Sequence, residues 1–352
     1  MTQEIIFEEI PGKNALIGLI TLNRPKVLNA LNHTMFLSLN QQLTAWEKND
    51  DIKVVVIRAT EGRAFCAGGD IRHAYERGKA GDVNLPHFFR DEYDLNRRIF
   101  HYPKPYIALL NGITMGGGAG ISINGGHRVA TENLTFAMPE TGIGFFPDVG
   151  GSYFLSRLPY KIGFYLGLTG VRITAADCMA LGLVNYYVKQ DALPTLISAL
   201  TEVDFANNAD KVAAKIISQF SAAPGESDLF KQRQKIENFF GLKTMEEILH
   251  ALQADASEWS QQTANLIKTK SPTSLKVTLR ALQEGLNLDF DACMQMEYRL
   301  TTHFLQGRDF YEGVRAAIID KDQSPSWQPA RLEDVTAQDV SKYFAPLAEE
   351  LV

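Results

Sequence analysis

The chain has 352 residues and a mass of 39.2 kDa, a length that predicts about two domains. Hydrophobic residues make up 45% and charged residues 22%, enough apolar surface for sizeable cores and too much for compositional disorder. The formal net charge of -6, from 35 Lys and Arg against 41 Asp and Glu, gives no bulk attraction to nucleic acid or to an anionic membrane, so neither is expected as a partner.

Taken in chain order, residues 5–10 and 16–22 read as strands separated by the turn pair Pro11-Gly12. Residues 33–47 carry Met35, Phe36, Leu39, Leu43 and Trp46 at helical spacing. Strands follow at 53–59, with VVVI at its centre, at 105–110, and in short form at 127–131 and 134–137. Strands alternating with helices predict an α/β core with parallel pairing. After about Asp191 the pattern turns helical, at 210–220, 245–268, 274–286 and 290–305. The expected organisation is therefore an α/β part over 1–190, carrying the site, and a mostly α-helical part over 191–352.

Cys66, Cys178 and Cys293 form no CxxC or zinc pattern, and the seven histidines include no HExxH or HxxxH pair, so no metal is expected. A reducing compartment suits three scattered thiols. The acidic start MTQEIIFEEIPGK has no signal-peptide character, and the apolar span 106–123 is broken by Asn111 and five glycines. These features predict a soluble, cytoplasmic protein.

Eleven of the 27 glycines lie between Gly112 and Gly151. The run Asn111-Gly-Ile-Thr-Met-Gly-Gly-Gly-Ala-Gly120 follows a predicted strand and precedes a helix-capable stretch. There the backbone can approach a ligand and aim free N–H groups at an anion or oxyanion, although tight packing alone would also use glycine. It is not a dinucleotide fingerprint, because Ile121 stands three residues after Gly118. A second turn, Ala64-Phe-Cys-Ala-Gly-Gly-Asp70, could offer another amide, with Asp70 as a helix cap. Glu140 and Asp148 lie among Gly, Pro and apolar residues, with no Lys or Arg between Arg128 and Arg157, a setting that raises carboxylate pKa values toward those of catalytic acids and bases. Helical spacing places Glu92 on a stripe with Phe88, Leu95 and Ile99, where an acid has either a partner or a chemical task.

At these residues the sequence resembles the enoyl-CoA hydratase/isomerase (crotonase) superfamily. The superfamily marks are Leu22-Asn-Arg-Pro-Lys-Val-Leu-Asn-Ala-Leu31, Phe65-Cys-Ala-Gly-Gly-Asp-Ile71 and Asn111-Gly-Ile-Thr-Met-Gly-Gly-Gly118. Sharper marks resemble its acyl-CoA hydrolase branch: Phe89-Arg-Asp-Glu-Tyr93, Phe136-Ala-Met-Pro-Glu-Thr141, Gly144-Phe-Phe-Pro-Asp-Val-Gly-Gly151, Ser271-Pro-Thr-Ser-Leu-Lys276, Met296-Glu-Tyr-Arg-Leu300 and Phe310-Tyr-Glu-Gly-Val-Arg-Ala316. The resemblance implies a crotonase-like spiral of ββα turns followed by helices. It also implies an oxyanion hole from the Gly69 and Gly117 amides, and substrate contacts from Glu92, Gly117, Glu140 and Asp148, with Glu140 and Asp148 catalytic. Hydratases commonly carry a second glutamate three residues beyond the oxyanion amide, where this chain has Gly120.

The implied reaction is hydrolysis of a short branched 3-hydroxyacyl-CoA, foremost (S)-3-hydroxyisobutyryl-CoA in valine breakdown. CoA is then part of the substrate and no cofactor is needed. Lys26 is a candidate for the CoA phosphates, or simply a solvated lysine. The alternatives are an enoyl-CoA hydratase or isomerase and a non-catalytic acyl-CoA-binding protein. Relatives of this kind imply a homo-oligomer, unless the C-terminal helices fold over the chain's own site.

Overall fold

The computed structural model describes residues 3–205 and 208–351; Met1 and Thr2 of the acidic start lie outside the described residues. The first five strands are β1 (Ile5–Pro11), β2 (Leu16–Leu22), β3 (Ile52–Ala59), β4 (Ala64–Cys66) and β5 (Tyr106–Leu110). The next five are β6 (Ile113–Met115), β7 (His127–Ala130), β8 (Thr135–Ala137), β9 (Ile173–Thr174) and β10 (Tyr186–Tyr187). One sheet runs β1-β2-β3-β5-β7-β10 and a second β4-β6-β8-β9. β1 and β2 form an antiparallel hairpin with Ile5 opposite Leu22, whereas β2, β3, β5, β7 and β10 pair in parallel. The parallel pairing demands cover on both faces, which is why the centre of β3 is apolar without alternation.

Each face of the larger sheet receives its own helices. Ile17, Leu19, Val54, Val56, Ile107, Leu109 and Val129 pack with Leu196, Leu200, Ile216 and Ile217 of the helices Leu193–Thr201 and Ala209–Phe220. Gly18 points to the opposite face, where a Cβ would stand 2.6 Å from the ring of Trp46 on the His33–Lys48 helix. The Trp46 indole N–H donates to Glu9 at 2.8 Å, so the ring is both packed and satisfied.

The chain divides into two compact units that interleave along the sequence instead of meeting at one boundary near 190. The first comprises residues 1–69, 94–136 and 172–230; the second comprises 70–93, 137–171 and 231–352. The two helices after Asp191 belong with the strands because their apolar faces complete the sheet's core. In the second unit, the helix expected over 245–268 is two helices, Met245–Ala254 and Glu258–Lys268. Asp255 stops the first by accepting the Ser257 and Ser260 hydroxyls, and Ser257 caps the second by accepting from Ser260 N–H.

Candidate active site

In the first unit two glycine turns abut. β4 and β6 pair in parallel, and each runs into a turn: Ala67 to Gly69 after β4, and Gly116 to Gly120 after β6. Gly116 has φ 48 and ψ -123, a conformation that favours glycine, and it launches the single turn of helix Gly117–Gly120. Gly117 therefore begins a helix with its N–H unused inside it. A Cβ on Gly118 would come within 2.2 Å of the Cys66 carbonyl oxygen, so this close approach of the two turns requires glycine. Gly68, at φ 116, brings its own turn to the same place, where a Cβ would lie 3.5 Å from Gly117 N. Gly69 is fixed by its bridge to Leu31, whose N–H donates to Gly68 O at 2.9 Å. Glycine here serves packing, and the same packing leaves the Gly117 N–H unused within its helix, so the two readings of the glycine run are not exclusive. Lys26 is exposed in the 3-10 turn Pro25–Val27 of the same unit.

In the second unit, buried carboxyl groups gather. Glu92 is 2% exposed, on the Leu85–Phe100 helix with Phe88 as its apolar neighbour. Glu140 opens the 3-10 helix Glu140–Ile143 and is 6% exposed; its Oε2 is buried without a hydrogen-bond partner among the described residues. Asp148 is 5% exposed and accepts from the Tyr93 O–H at 2.7 Å. Burial pushes the Glu92 carboxyl well above the usual range, and the charges of Asp148 and Glu140 push it further. Burial likewise raises Glu140 well above that range, with Asp148 adding to it. Asp148 is pushed up to about 7 by burial, against the downward pull of the Tyr93 hydrogen bond. Three acids that repel one another in a dry setting resist losing all their protons, which suits them to hold or pass one near neutrality.

A fourth buried acid, Glu297, lies in the Met296-Glu-Tyr-Arg-Leu300 motif, which by itself assigns it no role. It is fully buried on the Phe290–Phe304 helix and accepts from the N–H groups of Gly150 and Ser152, both at 2.8 Å, and from the Ser152 hydroxyl at 2.6 Å. Burial raises its pKa, partly offset by these donors. The available signal was the one that marked Glu92. Phe290, Met294, Glu297, Thr301 and Phe304 form a helical stripe of buried residues.

The enoyl-CoA hydratase/isomerase family model matches residues 17–344. The chain belongs to this family. Among curated relatives, proteins named "3-hydroxyisobutyryl-CoA hydrolase, mitochondrial" are 44% identical in Danio rerio, over 98% of this chain and 90% of theirs, and 43% identical in Homo sapiens, over 98% and 89%. Among solved structures, a carnitinyl-CoA dehydratase from Mycobacterium thermoresistibile superposes with a TM-score of 0.91 at 36% identity, covering 100% of this chain and 99% of that one. An enoyl-CoA hydratase from Rhodobacter sphaeroides gives 0.90 at 35%, covering 99% and 100%. The crotonase-like fold with a helical C-terminal region is thereby established. The names of these relatives span both hydrolase and hydratase chemistry, so the fold alone does not select the reaction.

The same relatives correct one expectation. The hydrolases are named mitochondrial, which overturns the cytoplasmic assignment. That assignment rested on scattered thiols and an acidic start, and scattered reduced thiols suit any reducing compartment, a mitochondrial one included. Among the described residues, no helix is long and apolar enough to cross a membrane.

Proposed function

We propose that the protein hydrolyses 3-hydroxyisobutyryl-CoA, adding water across the thioester to release CoA and the free 3-hydroxy acid, a step in valine breakdown. The observation that carries this reading is the acid set. Glu92, Glu140 and Asp148 are buried with raised pKa values, whereas the position three residues beyond Gly117 is Gly120 and supplies no second glutamate of the hydratase kind. The names of the curated hydrolases, at 43–46% identity, support it.

In this reading Gly69 and Gly117 direct their amides at the thioester oxygen, whose charge grows as the carbonyl is attacked; one such donor is worth about 3 kcal/mol. Glu140 acts on the carbonyl carbon, either as nucleophile through a mixed anhydride or as base for a water. Its Oε2, without a partner among the described residues, and its raised basicity support a reactive role over a structural one. Asp148 takes the substrate hydroxyl or transfers the proton, and Glu92 orients the hydroxyl or the water. An analogue lacking the hydroxyl would leave a buried acid unpaired and be rejected. Lys26 is assigned to the CoA phosphates, and neither a cofactor nor a metal enters.

The deciding experiment supplies 3-hydroxyisobutyryl-CoA and, separately, a short enoyl-CoA, and follows free thiol and enoyl absorbance together. The proposal expects thiol release from the hydroxyacyl substrate and little loss of enoyl absorbance. Water addition to the enoyl substrate without thiol release would establish a hydratase instead. Saturable binding with no turnover of either substrate would establish a binding protein.

A further inference from the structure

The Phe290–Phe304 helix reaches Asp148 at two points one helical turn apart, through the turn that carries it and through Tyr93. At the first, Glu297 accepts the Gly150 and Ser152 N–H groups and the Ser152 hydroxyl. These residues follow Asp148 through an unusual backbone, with Val149 at φ 55 and Gly150 at φ 92. A β-branched residue rarely adopts positive φ, so the surroundings must impose that conformation. Gly150 donates to Glu297 directly after Val149, which ties the chain down where the strain lies.

At the second point, Thr301 Oγ1 lies 2.6 Å from the Tyr93 hydroxyl, and Tyr93 in turn lies 2.7 Å from Asp148 Oδ2. A phenol has one proton. When Asp148 is ionised, that proton is committed to its carboxylate, so the Thr301 hydroxyl must donate to the Tyr93 oxygen. Both protons then run in sequence toward Asp148. Tyr93 and Thr301 are fully buried, so no solvent competes for either bond.

We propose that Glu297, Tyr93 and Thr301 are positioning residues for Asp148: Glu297 fixes the backbone that carries it, and the Thr301–Tyr93 relay fixes and stabilises its carboxylate. The inference rests on the reading that Asp148 serves the reaction. The ionisable groups facing Asp148 are Glu92 and Tyr93 from the Leu85–Phe100 helix, Glu140 from the 3-10 helix, and Glu297. Tyr93 is the one whose hydrogen bond favours the charged form of Asp148.

The test measures thiol release across pH for Tyr93→Phe, Thr301→Val, Glu297→Gln and Asp148→Asn, singly and in pairs. Tyr93→Phe and Glu297→Gln should each lower kcat/KM by about 10–100-fold, the scale of a catalytic group slightly misplaced. Removing the phenol should also move the midpoint near pH 7 upward, and Asp148→Asn should abolish that midpoint. Because the three residues act through Asp148, none should slow the Asp148→Asn enzyme further, and Thr301→Val should add nothing to Tyr93→Phe.

Additive losses in the Asp148→Asn background, or an unmoved midpoint in Tyr93→Phe, would overturn the inference while leaving the hydrolase reading standing. Full activity of Asp148→Asn itself would overturn the role of Asp148 and the inference with it. Thr301→Val preserves side-chain shape, so it remains informative should Glu297→Gln fail to fold.

Discussion

Around Gly69 and Gly117 it is backbone that is presented, the side chains having been removed to let two turns meet. Around Glu92, Glu140, Asp148 and Glu297 it is side chains, whose charges oppose one another. The first region is rigid by sterics: an added methyl at Gly118 would overlap the Cys66 carbonyl. The second is constrained by hydrogen bonds, with the Tyr93 O–H and the Gly150 and Ser152 N–H groups placed to donate to specific carboxylate oxygens. On the proposed reading the difference is functional: an oxyanion site requires fixed dipoles and no proton inventory, whereas an acid–base site requires groups whose protonation is finely balanced. Substitutions should therefore fail in different ways in the two regions.

The largest expected effect belongs to the acids. Glu140→Gln keeps the volume and removes both the negative charge and the basicity, and thiol release should fall by about 10³-fold, within the range attributed to acid–base groups. Substrate binding should change far less, as judged by KM or by titration of the inactive variant. Unimpaired turnover would remove Glu140 from the mechanism and reduce the acid region to a structural feature.

Next comes the glycine region. Gly118→Ala forces the turn away from Cys66 O, which stands 2.2 Å from the new Cβ, and overpacking of that kind costs about 1–3 kcal/mol. Because Gly117 is the adjacent residue, its amide moves as well, and kcat should fall by about 10²-fold. Thermal melting and kinetics should worsen together. A variant that melts lower but turns over normally would show that the glycines serve packing alone.

How far each region was legible in the sequence follows from the same contrast. The glycine turns were visible because a backbone constraint leaves glycine as its mark, and Glu92 was visible because its spacing placed a charge on an apolar stripe. Glu297 obeyed the same spacing, yet its partners Gly150 and Ser152 lie 147 and 145 residues away, and nothing local connects them. Six strands fell where alternation and apolar runs placed them, whereas β4, β6, β9 and β10, each only two or three residues long, are too short to leave a pattern. The assignment of later helices did not, because an amphipathic face on 193–201 or 209–220 does not say which sheet it will meet. The break at Asp255 was obscured because Ser and Asp are tolerated within a helix as well as at its caps.

The smallest expected effect sharpens the contrast through stability. An unfolded glutamate has a pKa near 4.5, whereas burial and the neighbouring acids raise that of Glu92 well above this value. Between the two values the folded protein holds a proton that the unfolded chain has released, so the contribution of this group to stability falls as pH rises through the window. Glu92→Gln abolishes that titration and also relieves the repulsion on Asp148 and Glu140. The variant should gain about 3 °C in Tm at roughly pH 8 and less at roughly pH 5, measured by thermal unfolding of both proteins in matched buffers. A gain of equal size at both pH values would indicate packing rather than charge. The Tm loss of Gly118→Ala should in contrast be the same at both, because a steric overlap has no proton to exchange.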